Sequence, residues 1–119
     1  MTARPPTDPR GRRRTGGQGP GFDRAIFIRP VAHRGLHDRR QGIIENTAPA
    51  FQAAIENDYG IECDLQPASD GTPMVFHDAS LDRLIQATGR IAAHSPEELS
   101  RLRYKETNDR ILTFQDLLA

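Results

Sequence analysis

Two carboxylates stand two residues apart in Ile61-Glu62-Cys63-Asp64-Leu65, a run that otherwise has the apolar character of a strand. Residues i and i+2 of a strand share a face, about 7 Å apart. Glu62 and Asp64 are therefore predicted to face one side, with Ile61, Cys63 and Leu65 on the other. Two acids held together this way repel each other and lose solvation, so they need a compensating cation. A hard divalent metal with oxygen ligands meets that need, and Mg²⁺ and Ca²⁺ suit carboxylates about equally. Two of the four histidines open polar clusters at the ends of apolar runs: His33 in Val31-Ala32-His33-Arg34-Gly35, and His77 in Met74-Val75-Phe76-His77-Asp78. Imidazoles beside such a metal supply general acid–base chemistry for attack on a phosphate or ester. Arg34 adds a planar fork suited to phosphate, and Gly35 lets the backbone approach closely.

Each cluster alone also has a plainer reading. His33-Arg34-Gly35 makes an ordinary polar turn after a strand, and Glu62-x-Asp64 suits the wetted face of an edge strand. His77-Asp78 suits a solvated turn with the imidazole held by its neighbour. Glu45-Asn46-Thr47 reads as a helix start, its acid favoured by the helix dipole and its hydroxyl by the first free N–H groups. Glu45 is at most a neighbour of the site. His37 and His94 lie in polar, loop-like surroundings and read as surface residues. Cys63, facing away from both acids, reads as core rather than nucleophile.

The elements that must position these groups alternate between strand and helix. Ala25-Ile26-Phe27-Ile28 is an apolar run stopped by Pro30, and Val31 and Ala32 resume it into His33. Leu36 to Ile44 is a polar loop. A helix starts at Thr47, with Pro49 in its first turn, Ala50, Phe51, Ala54 and Ile55 as its apolar stripe, and Gly60 as its stop. Ile61 to Leu65 is a strand, Asp70-Gly71 a turn, and Pro73 to Phe76 a second strand. Leu81 to Ala93 is loop or short irregular structure. Ser95-Pro96-Glu97-Glu98 matches a capping box opening a helix to about Arg103, with Leu99 and Leu102 on its buried side. Thr113 caps a last helix, Phe114 to Leu118. The succession is an α/β pattern.

Composition narrows the function classes. With 16 basic and 16 acidic side chains among 119 residues, the formal net charge is zero, which gives no overall field toward nucleic acid or an anionic membrane. No apolar run approaches the roughly 20 residues of a membrane span. Residues 1–21 are rich in Arg, Gly and Pro, without an aliphatic side chain beyond Ala apart from Met1, and are expected to form a disordered arm. Residues 22–119 are then the folding unit. Cys63 is the single cysteine, so no internal disulfide forms and a cytoplasmic setting fits.

Taken in order and spacing, Val31 to Leu118 resembles the N-terminal half of the glycerophosphodiester phosphodiesterase family. The resemblance runs through Ala32-His33-Arg34-Gly35, Glu45-Asn46-Thr47 with Ala50-Phe51, Glu62-Cys63-Asp64-Leu65 and Asp70-Gly71. It continues through Val75-Phe76-His77-Asp78, Leu81-Asp82-Arg83, Gly89, Glu98-Leu99 and Thr113 to Leu118. It implies a TIM (β/α)₈ barrel with its site at the C-terminal ends of the strands. By carry-over, His33 and His77 match the catalytic pair, Glu62 and Asp64 two ligands of a divalent metal (Mg²⁺ or Ca²⁺), and Arg34 the position that steadies the phosphate. The implied substrate is a small-molecule glycerophosphodiester. The departure is length: a full barrel takes about 250 residues, and the third acidic ligand and the lysine that later strands supply in the family have no counterpart here. A fragment or truncated, catalytically inactive remnant is the alternative expectation, with exposed barrel edges that favour self-association; a nucleic-acid-associated protein acting through the Arg-rich arm ranks below both, since aromatic interleaving and a recognition helix are lacking.

Overall fold

A computed structural model describes residues 29–119. The predicted arm 1–21 and the apolar run Ala25–Ile28 lie outside the described residues. Strand β1 (Val31–His33) leads through a loop, which closes on a 3₁₀ turn at Arg39–Gln41, into helix α1 (Ala48–Glu56). The chain returns as β2 (Gly60–Glu62), parallel to β1, with His33 paired to Glu62 in the register. This β–α–β unit brings the first histidine level with the first acid.

The single predicted strand Ile61–Leu65 is two. β2 ends at Glu62, and β3 (Leu65–Pro67) starts beyond Asp64 and pairs antiparallel with β4 (Pro73–Val75). The chain thus changes partner, from β1 before Glu62 to β4 after Asp64, and the Phe76 N–H on the Asp64 carbonyl (3.0 Å) extends the second ladder to the join. The Asp70-Gly71 turn closes this hairpin, with Gly71 at φ +87°.

α1 keeps its predicted place, but three details differ. Thr47 sits at the N-cap with its hydroxyl turned back onto the Ile44 carbonyl (2.6 Å), so it caps no helical N–H. The helix ends at Asn57, whose side-chain amide donates to the Ala53 carbonyl (2.7 Å). Asp58 at φ +59° turns the chain, and Gly60 is already a strand residue. The buried arc is Ala50, Phe51 and Ala54, while Ile55 is 61% exposed, because α1 packs on one neighbouring layer only.

The main core lies beyond the hairpin: Ile44, Met74, Phe76, Leu81, Ile85, Ile91, Leu99, Tyr104 and Ile111 pack together. Leu81 to Ala93 is irregular, as expected, apart from a 3₁₀ turn at Ile91–Ala93, yet three of its side chains belong to this core. Helix α2 (Pro96–Arg101) is shorter than predicted. Ser95 caps the Glu98 N–H, but the Glu98 carboxylate goes to His94 (3.0 Å) and leaves the capping box half made. That contact makes His94 half-buried rather than a plain surface residue. Helix α3 (Phe114–Leu118) has the complete box, with Thr113 and Asp116 bonded reciprocally.

Candidate active site

His33 and Arg34 follow from a tight turn at the end of β1. Arg34 adopts φ +60° and Gly35 φ +79°, and the turn closes by Gly35 N–H to the Ala32 carbonyl (3.1 Å). A Cβ on Gly35 would lie 2.8 Å from the Ala50 Cβ and 2.9 Å from the Ala50 carbonyl carbon, so only glycine lets this turn rest on α1. Arg34 is thereby rolled over the ends of β1 and β2. Its backbone N–H donates to Glu62 Oε2 (3.0 Å), its Nη1 to Glu45 Oε2 (2.8 Å), and its Nε stands 3.4 Å from Asp64 Oδ2. Both acids of the Glu-x-Asp pair therefore converge on one arginine. This convergence comes from the turn of Arg34 and not from one continuous strand face, since β2 ends at Glu62; Cys63 is half-buried and outside the core cluster. Burial, then the flanking Glu62 and Asp64 charges, push the Cys63 thiol up, which suppresses the thiolate a nucleophile needs.

Asp64 is further fixed by Asn46, a buried residue at φ +56°. The Asn46 amide donates to Asp64 Oδ2 (3.1 Å), and its carbonyl oxygen accepts from the Asp64 N–H (3.2 Å). The Asn46 N–H in turn donates to the Arg34 carbonyl (2.8 Å). Asn46 thus pins the turn after β1 to the point where the next strand changes partner.

His77 lies just past β4, and its backbone carbonyl accepts from the Gln66 amide on β3 (2.8 Å). Nδ1 of His77 meets Asp78 Oδ1 at 2.7 Å. Arg83 closes a fork on the same carboxylate, Nε to Oδ2 at 2.8 Å and Nη2 to Oδ1 at 3.2 Å, while its Nη1 donates to Glu45 Oε1 (2.8 Å). The Arg83 bonds, then partial burial acting against them, then His77, hold the Asp78 carboxyl at about 2. For Glu45, burial pushes upward, but the bonds from Arg83 and Arg34 outweigh it and hold the acid below its usual range.

His33 Nε2 is 3.5 Å from Glu62 Oε2. The five residues singled out from the sequence therefore fall on one path of polar contacts: His33, Glu62, Arg34 with Asp64, Glu45, Arg83, Asp78, His77, with Glu62 reaching Arg34 through the backbone N–H alone. Sequence reasoning gave no role to Arg83 or Asn46 and left Glu45 aside. Their one visible signal was a place within motif blocks that also hold the site residues. Arg34 is only partly free for a ligand: Nη1 is committed to Glu45, whereas no hydrogen bond among the described residues engages Nη2.

Glu62 and Asp64 each commit one oxygen to this network. Glu62 Oε1 and Asp64 Oδ1 accept no hydrogen bond among the described residues. Two such carboxylate oxygens fit a hard divalent cation in kind. They do not complete its shell, since the described residues contain no group of three or more His, Cys, Asp or Glu placed to hold a metal.

A parallel β–α–β unit with a histidine, an arginine and acids at its strand ends is the unit a (β/α)₈ barrel repeats, and barrel sites lie at that end of the strands. The glycerophosphoryl diester phosphodiesterase family matches residues 33–119, and the chain belongs to that family. A glycerophosphodiester phosphodiesterase 1 from Bos taurus is 33% identical over 102 residues, covering 77% of this chain and 30% of that protein. The Homo sapiens glycerophosphodiester phosphodiesterase 1 is 38% identical over 77 residues, covering 63% of this chain and 22% of that protein. Among solved structures, a glycerophosphodiester phosphodiesterase from Agrobacterium tumefaciens superposes with a TM-score of 0.67 at 26% identity, over 76% of this chain and 41% of the other. An Oleispira antarctica phosphodiesterase, solved in complex with the product sn-glycerol-3-phosphate, gives 0.61 at 29% identity, over 76% and 39%. The fold is a partial TIM (β/α)₈ barrel, and the chain spans less than half the length of these relatives.

Proposed function

We propose that the protein acts in the hydrolysis of glycerophosphodiesters to an alcohol and glycerol 3-phosphate, in lipid and glycerol metabolism, with His33 and His77 as the acid–base pair. The observation that carries this reading is the run of contacts from His33 through Glu62, Arg34, Glu45, Arg83 and Asp78 to His77, made by side chains except where the Arg34 backbone N–H donates to Glu62. Arg34 steadies the phosphate through the part of its fork that Glu45 leaves open. Glu62 and Asp64 hold a divalent metal, Mg²⁺ or Ca²⁺, which when bound offsets negative charge on the phosphoryl oxygens. One imidazole accepts a proton from the attacking oxygen as its bond to phosphorus forms; attack by water gives glycerol 3-phosphate directly, and attack by the neighbouring glycerol hydroxyl gives a cyclic phosphate that water then opens to the same product. The other gives a proton to the alcohol oxygen as its bond to phosphorus breaks.

The substrate is a small glycerophosphodiester, and a cytoplasmic setting belongs to the same proposal, supported by a lone cysteine that forms no internal disulfide. Among the described residues no helix is long and apolar enough to cross a membrane. Hydrolysis of glycerophosphocholine by this chain, with and without chelator, tests the reading. His33→Ala and His77→Ala are each expected to abolish turnover while leaving the circular dichroism spectrum unchanged. Near-normal turnover in either variant would end the assignment. Binding of the diester without turnover by the unaltered chain would instead assign a non-catalytic role, the reading favoured by an acidic pair with no third ligand among the described residues.

A further inference from the structure

Arg83 lies in the irregular segment to which the sequence gave no role. Its neighbours Leu81 and Ile85 are fully buried in the main core. The Asp82 carboxylate accepts from the Gly89 N–H (2.9 Å) and from the Ser80 hydroxyl (2.6 Å), which ties the segment into a closed loop. The backbone carrying Arg83 is thus held at both flanks, and its guanidinium makes three bonds to two acids from distant parts of the chain. An isolated surface ion pair contributes little and fixes little. A two-pronged fork on one carboxylate with a third bond to another has geometry that a lone charge lacks.

We infer that Arg83 is a positioning residue: it clamps Asp78 onto Nδ1 of His77 and Glu45 onto Arg34, so that one guanidinium sets the two ends of the site. An ionised Asp78 can only accept, so Nδ1 of His77 carries the proton and Nε2 is left as the nitrogen that exchanges one. Glu45 is gripped from both sides, by Arg83 at Oε1 and Arg34 at Oε2, which limits the swing of the Arg34 fork. A lysine has one compact ammonium and cannot serve both acids at these positions. The consequence for turnover rests on the proposed roles of His77 and Arg34, whereas the clamp itself does not.

The test uses the full chain and two readouts. Imidazole ¹⁵N spectra at about pH 8, where an ordinary histidine is neutral, report which ring nitrogen of His77 is protonated. Wild-type His77 is expected in the Nδ1–H form, with that form losing population in Arg83→Gln and only partly restored in Arg83→Lys. Turnover of glycerophosphocholine is expected to fall about 10- to 100-fold in kcat for Arg83→Gln, with a smaller rise in KM. An Nε2–H tautomer in the wild type overturns the clamp, a result that needs no variant to fold. An unchanged His77 tautomer in Arg83→Gln, or full restoration by lysine, does the same. If His77→Ala keeps turnover while Arg83→Gln shifts the tautomer, the clamp stands and the acid–base assignment falls. If His77→Ala is inactive and Arg83→Gln matches the wild type in both readouts, the clamp alone falls.

Discussion

Asp78 is the residue through which pH reaches the fold. Its carboxyl lies near 2 in the folded chain, against an ordinary aspartate value near 3.9. A folded value below the unfolded one means that the unfolded chain takes up the proton first. The stability Asp78 contributes is therefore present above about pH 4 and drains away as pH falls toward 2. Urea midpoints measured across that window should drop more steeply for the wild type than for Asp78→Asn, and parallel curves would refute the assignment. His33, Arg34, Glu62, Asp64 and His77 were legible because each is a chemically costly residue in an apolar or strand-end position. Arg83 and Asn46 were not. Arg83 meets Glu45 from 38 residues away, and Asn46 meets Asp64 from 18, and no local spacing encodes either pairing.

At the level of elements, the turn after β1 depends on a residue without a side chain. Gly35→Ala forces alanine into a left-handed conformation and drives its methyl into Ala50 of α1. Strain and overpacking together should cost about 2–4 kcal/mol, read as a lower urea midpoint with the transition slope retained. A loss under half a kilocalorie would mean that turn and helix separate at little cost. Helix α1, the hairpin turn and the capped starts of α2 and α3 could all be read from Pro, Gly and hydroxyl placement. The end of α1 could not, because Asn57 and Asp58 supplied the exit that Gly60 seemed to offer. The break between β2 and β3 was also hidden: Ile61 to Leu65 has uninterrupted strand character, and only the competition between two partners divides it.

Over the whole molecule, large apolar side chains remain in contact with water. Val31 is 57% exposed on β1, Leu65 44% on β3, Ile55 61% on α1 and Leu118 70% on α3. The β1–β2 pair adds no further strand among the described residues, whereas the outer edge of β4 is bridged at Met74 by Thr113. Such faces favour pairing with another chain, and we propose that this chain self-associates through them. Sedimentation velocity should show a weight-average mass that rises with concentration, and a constant monomer mass across the range would exclude it. The strand that trades β1 for β4 between Glu62 and Asp64 has a consequence at this same scale. The two acids are tethered to different sheets, so their separation measures how those sheets sit against each other. Any shift of one ladder against the other is therefore taken up at Cys63, the one residue between the two acids.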